Sequence, residues 1–114
     1  MLSFRSHRRV RALALGTAVL ASFPFATAAA AGDAAAGKIK AEPCMGCHAI
    51  EGYANAYPNY HVPRVGGQEP DYIVAALKAY AAGNRDHKTM QAQAATLSEQ
   101  DMEDIAAYFT GMAK

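Results

Sequence analysis

The chain has 114 residues, with eleven Lys and Arg against ten Asp and Glu, for a formal charge of +1. That is little more than one small domain. Four of the basic residues, Arg5, Arg8, Arg9 and Arg11, precede the first acid, Asp33, and the seven left beyond them face all ten acids, which argues against a nucleic-acid binder.

The N-terminal segment reads as an export signal. A basic stretch precedes the apolar run at residues 12–26, ALALGTAVLASFPFA, which ends in small residues with Ala-x-Ala sites at 26–28 and 29–31. The run is short for a bilayer span, which needs about 20 apolar residues, and Pro24 stands near its end. The expectation is a cleaved signal over residues 1–31 and one exported, periplasmic domain over residues 32–114 with no membrane span of its own. A domain that small has a thin core and commonly relies on disulfides, a metal or a bound cofactor.

Three helices are predicted in chain order. Residues 33–42, DAAAGKIKAE, are Ala-rich, and Pro43 disfavours helix at the residue before it. Residues 49–67 show no periodicity, and Gly52, Asn55, Pro58, Asn59, Pro63, Gly66 and Gly67 supply turn chemistry. So long a loop is usually functional or wrapped around something, and it carries no strand signal. Pro70 fits the first turn of a second helix, along which Tyr72, Ile73, Ala76, Leu77 and Tyr80 recur at helical spacing before Gly83. A polar loop, NRDHKTMQAQAAT, follows. Ser98 opens the last helix, with Asp101 in place of the usual Glu of a capping box. Its apolar stripe is Met102, Ile105, Ala106 and Phe109, and Glu99, Asp101, Glu103 and Asp104 read as its solvated start, favoured there by the helix dipole.

The only two cysteines stand in Cys44-Met45-Gly46-Cys47-His48. A redox dithiol needs a βαβ context, and none is visible. A zinc site needs a second ligand pair, and His61 and His87 are not spaced as one. C-x-x-C-H reads instead as c-type haem attachment. Each thiol adds across one vinyl group, two intervening residues let both reach one porphyrin edge, and His48 follows as the proximal iron ligand. Five methionines compete for the sixth position. Met1 leaves with the signal, Met45 lies inside the attachment loop, Met102 falls on an apolar stripe and Met112 is terminal. Met90, the one large apolar residue in a polar loop, is the candidate. Its rival as a ligand is His87, and its alternative role is to fill a gap in the core.

Those pieces together resemble a family. Cys44 to His48, then Pro63-Arg64-Val65-Gly66-Gly67-Gln68, then Tyr80 with Gly83-Asn84-Arg85, then Met90, then Leu97 to Phe109 (LSEQDMEDIAAYF) stand in the order of the class I c-type cytochromes. The likeness is to the small bacterial monohaem type, or to a single domain of the c-four and c-five-five-three cytochromes. It covers nearly all of residues 32–114. It implies an all-α fold, with three main helices and long loops wrapped around one covalently bound haem c. It also implies that the N- and C-terminal helices cross, with Gly37 allowing close approach near Tyr108 and Phe109. The Pro63 carbonyl would then orient the His48 ring. Arg64 would pair with a haem propionate or stay solvated. The tyrosines of residues 53–61 would wall the haem pocket or face a partner, and His61 would sit on the surface or bond within the loop.

With His48 and Met90 both on iron, no position is left for a substrate. The reading is a one-electron carrier that docks transiently with redox protein partners, as a free shuttle or as an oxidoreductase subunit, and not an enzyme. Two alternatives stay open. One is a haem protein that takes peroxide, NO or CO by displacing Met90. The other is a haem-free thiol oxidoreductase whose two sulfurs are free.

Overall fold

A computed structural model describes residues 31–112. Apart from Ala31, the expected signal segment lies outside the described residues. Five helices and one hairpin are described: α1 (Ala34–Lys40), α2 (Glu42–His48), β1 (Ala54–Ala56), β2 (Asn59–His61), α3 (Pro70–Ala81), α4 (Lys88–Ala94) and α5 (Glu99–Thr110). The three predicted helices are therefore five, and the loop predicted without strands holds a short antiparallel ribbon.

Asp33 caps α1, its carboxylate accepting the N–H groups of Ala35 at 2.8 Å and Ala36 at 3.3 Å. The helix ends at Lys40, and Pro43, expected to close it, stands instead in the first turn of α2. A proline is tolerated there because the first-turn N–H groups have no partner within the helix. The motif Cys44 to His48 thus rides on a helix of its own.

Helix α1 crosses α5 at close range. A Cβ on Gly37 would lie 1.9 Å from the Asp104 carbonyl oxygen and 3.0 Å from Tyr108 Cβ, so only glycine permits this approach. Polar bonds fasten the same crossing. Asp104, 3% exposed, accepts the Asp33 N–H at 2.7 Å, the Gln100 amide at 2.9 Å and the Lys40 ammonium at 2.5 Å. Lys40 also reaches Asp101 at 2.8 Å. The Lys40 ammonium first, then the Asp33 N–H and Gln100, hold the Asp104 carboxyl down to about 2. Asp104 is therefore a buried, fully bonded carboxylate, not the solvated helix-start charge its position in the sequence implies.

The core gathers Ala41, Ile73, Leu77, Ala94, Met102, Ile105, Ala106 and Phe109. Pro70 opens α3, and Gly83 (φ +74°) follows the cap at Ala82, a left-handed geometry that glycine adopts without strain. Ser98 and Asp101 form a reciprocal capping box at the start of α5. The chain between the hairpin and α3 is tied to the end of α5: Gly67 N–H bonds the Phe109 carbonyl at 2.9 Å, and the Thr110 hydroxyl bonds the Gln68 carbonyl at 3.0 Å. Among the described residues, no helix is long and apolar enough to cross a membrane.

Candidate functional site

A cleft of about 380 Å³ opens between α2, the hairpin strand β2, α3, α4 and α5. Its floor is the core itself, since Ile73, Leu77, Ile105 and Phe109 all line it. The small core is thus left open on one side, as a domain stapled by a cofactor requires. Cys44, Cys47 and His48 line one part of the wall, and Met90 also lines the cleft. None of the other described methionines lines the cleft: Met102 is 5% exposed in the core, and Met45 and Met112, like Met90, pack against that core.

The two candidate histidine ligands differ in tautomer. The Nδ1 of His48 lies 2.8 Å from the Pro63 carbonyl oxygen. A carbonyl only accepts, so Nδ1 carries the hydrogen and Nε2 keeps its lone pair for a metal. This is the contact the resemblance implies for Pro63. The loop tied to α5 through Gly67 and Gln68 holds it in place. His87 is the reverse case. It is the N-cap of α4, and its Nδ1 accepts the Met90 N–H at 3.3 Å. In the neutral ring Nε2 then carries the hydrogen and has no lone pair to offer. Met90 itself lies in the first turn of α4, where the sequence shows only a polar loop.

Burial first, and the neighbouring Cys47 second, push the Cys44 thiol up from its ordinary value. A thiol that attacks as a thiolate needs the opposite, positive surroundings that stabilise its charge. Among the described residues, no group of three or more His, Cys, Asp and Glu side chains could hold a metal ion.

Arg64 lies outside the cleft. It lines a shallower neighbouring depression with Gln68 and Tyr72, 3.9 Å from Glu51, and its carbonyl accepts the Gln68 amide. Arg85, to which sequence reasoning gave no role, does line the cleft. Its guanidinium stands 4.8 Å from the centre of the Tyr80 ring, and Tyr72 also lines the cleft. His61 and Tyr60 also line the cleft, whereas Tyr57 at the hairpin tip is 96% exposed. Nothing in the sequence distinguishes the two loop arginines; only the fold decides which one faces inward.

The donor set (two thiols, an imidazole with Nε2 free, a thioether and a guanidinium around an apolar floor) fits a covalently held haem. Comparison with known proteins gives the same class. The cytochrome c family model matches residues 34–113. Cytochrome c4 of Pseudomonas aeruginosa is 43% identical over 80 residues, 70% of this chain and 38% of that protein. Cytochrome c-554(548) of Halomonas halodenitrificans is 41% identical over 83 residues, 70% of this chain and 96% of its own. The thiosulfate dehydrogenase electron acceptor of Thiomonas intermedia is 31% identical over 110 residues, 96% of this chain and 46% of that protein. Among solved structures, the reduced cytochrome c4 of Pseudomonas stutzeri superposes with a TM-score of 0.55 at 30% identity, over 72% of this chain and 50% of that one. The chain belongs to the cytochrome c family. Its fold is the cytochrome c fold and its cofactor is covalent haem c. It spans 38% of the Pseudomonas aeruginosa relative but nearly all of c-554(548).

Proposed function

We propose that this chain is a periplasmic one-electron carrier in which Cys44 and Cys47 form the thioethers and His48 and Met90 ligate the iron. The observation that carries the reading is that both thiols, an imidazole with Nε2 free and the only cleft-lining methionine among the described residues meet in one apolar cleft. Haem c bound there supplies an iron that holds or releases one electron. The Pro63 carbonyl keeps the His48 ring oriented and raises its basicity through the Nδ1 hydrogen. Ile73, Leu77, Ile105 and Phe109 exclude water, which lowers the local dielectric and favours the less charged ferrous state. Arg85, seated against the Tyr80 ring, is the cation placed to meet the cofactor's carboxylates, the role the resemblance offers to Arg64. With His48 and Met90 both engaged, no coordination position remains for a substrate, so partners exchange electrons without displacing a ligand.

The partners on this reading are redox proteins that dock transiently, and such encounters bury little area. The Thiomonas relative is described as an electron acceptor of thiosulfate dehydrogenase, which supports a dehydrogenase as donor. Carbon monoxide offered to the ferrous protein at neutral pH separates carrier from ligand binder. The carrier does not bind it over minutes, whereas rapid binding would establish a labile Met90 and the ligand-binding alternative.

A further inference from the structure

One four-residue segment touches both sides of the candidate ligand pair. Pro63, at its end, accepts the His48 Nδ1 hydrogen at 2.8 Å. Tyr60, at its start, presents its ring edge-on to His87, with centroids 4.6 Å apart and planes at 86°. His87 in turn accepts the Met90 N–H. The segment is fixed at both ends. The hairpin pairs Asn55 with Tyr60 and bonds Val62 N–H to the Tyr53 carbonyl at 2.9 Å. Beyond Pro63, Gly67 and Gln68 are tied to the end of α5.

Helix α4 needs such support. It has seven residues, and isolated helices shorter than about 12 residues are marginal in water. Met90 is the third of these seven, inside the turn that frays first. The side-chain hydrogen bond at this end comes from His87, a residue type outside the usual capping set of Ser, Thr, Asp and Asn. A histidine caps only while its ring presents Nδ1 to the first turn, and the Tyr60 contact fixes that ring.

We propose that Tyr60 and His87 are positioning residues that hold Met90 toward the cleft, so that residues 60–63 act as a strap joining the His48 side to the Met90 side. The proposal rests on the His48 and Met90 ligation set out above. Loosening the strap raises the fraction of molecules with Met90 released, and an added ligand then binds more tightly in proportion to that fraction.

The test is imidazole titration of the ferric holoprotein, with the weak long-wavelength band of methionine–iron ligation followed in parallel. Tyr60→Leu and His87→Ala are expected to bind imidazole roughly tenfold more tightly, the scale that one lost cap or ring contact commands. His87→Asn, whose amide oxygen accepts the same N–H, is expected to recover most of the wild-type resistance. Tyr57→Ala, at the exposed tip, is expected to change nothing. Gly37→Ala, which strains the fold away from the cleft, is expected to lower the unfolding midpoint without tightening imidazole binding. Imidazole affinity in Tyr60→Leu and His87→Ala within about twofold of wild type overturns the strap, as does equal tightening in Gly37→Ala. If His87→Ala fails to mature, Tyr60→Leu decides by the same criterion. A wild-type protein without the band overturns the ligation and the strap together; a band present in wild type and lost in Met90→Ala, with unchanged imidazole affinity in the strap variants, overturns the strap alone.

Discussion

Gly37→Ala sets two effects of opposite sign against each other. Glycine inside a helix costs roughly 0.5–1 kcal/mol relative to alanine, so propensity alone predicts a stabilised protein. The crossing with α5 predicts the reverse. The new methyl carbon would sit 1.9 Å from the Asp104 carbonyl oxygen and 2.5 Å from its carbon, both backbone atoms that no rotamer change can move aside. Helix α1 must therefore shift away from α5 by more than an ångström. That shift stretches the Asp33 and Lys40 bonds to Asp104. Overpacking costs typically 1–3 kcal/mol, and a backbone clash belongs at the upper end. Subtracting the propensity gain leaves a net loss of about 2 kcal/mol. For a domain of this size that lowers Tm by roughly 8–16 °C. Thermal unfolding of wild-type and variant holoprotein, followed by far-ultraviolet circular dichroism, measures it. A Tm equal to or above that of wild type would refute the close crossing and leave propensity in command.

Three further outcomes follow from the same contacts. The Asp104 carboxyl, held down to about 2, contributes stability that is fully present above the ordinary carboxylate range near pH 4 and is lost as pH falls toward 2; wild-type unfolding midpoints should drop over that window, and Asp104→Asn should be less stable at pH 7 with a flatter acid dependence. Ser98→Ala removes the acceptor of the Asp101 N–H in the α5 capping box and should cost about 1 kcal/mol in guanidinium unfolding, with no change in the visible spectrum. Mass spectrometry of proteolysed holoprotein should find the peptide holding residues 44–48 heavier by one haem, and Cys44→Ala combined with Cys47→Ala should carry no covalent haem; an unmodified wild-type peptide would restore the free-thiol reading.

Much of the scaffold is legible in the sequence because the signals are local. Pro70 with the Ile73 and Leu77 spacing marks α3, and Ser98 with Asp101 marks the start of α5. The motif from Cys44 to His48 points to its chemistry through spacing, together with the lack of a βαβ context and of a second ligand pair in the sequence. What stays hidden depends on partners distant in sequence. The break at Ala41 is invisible because a proline that ends one helix also fits the first turn of the next. The hairpin strands have three residues each, too few to show an alternation, and the Asn55 amide to the Pro58 carbonyl at 2.8 Å helps close the turn. Helix α4 is short, and its His87 cap is not a residue type that composition marks as one. Asp104 has the sequence surroundings of a surface acid, and only the arrival of α1 buries it.

Electron transfer without ligand exchange requires that His48 and Met90 close the iron's coordination inside the apolar cleft. The optical spectrum of the purified ferric protein, wild type beside Met90→Ala, tests it most directly. Ligation by both residues predicts the weak long-wavelength band of methionine–iron ligation in wild type and its loss in the variant. A wild-type spectrum without the band, or a band that survives the substitution, would contradict it.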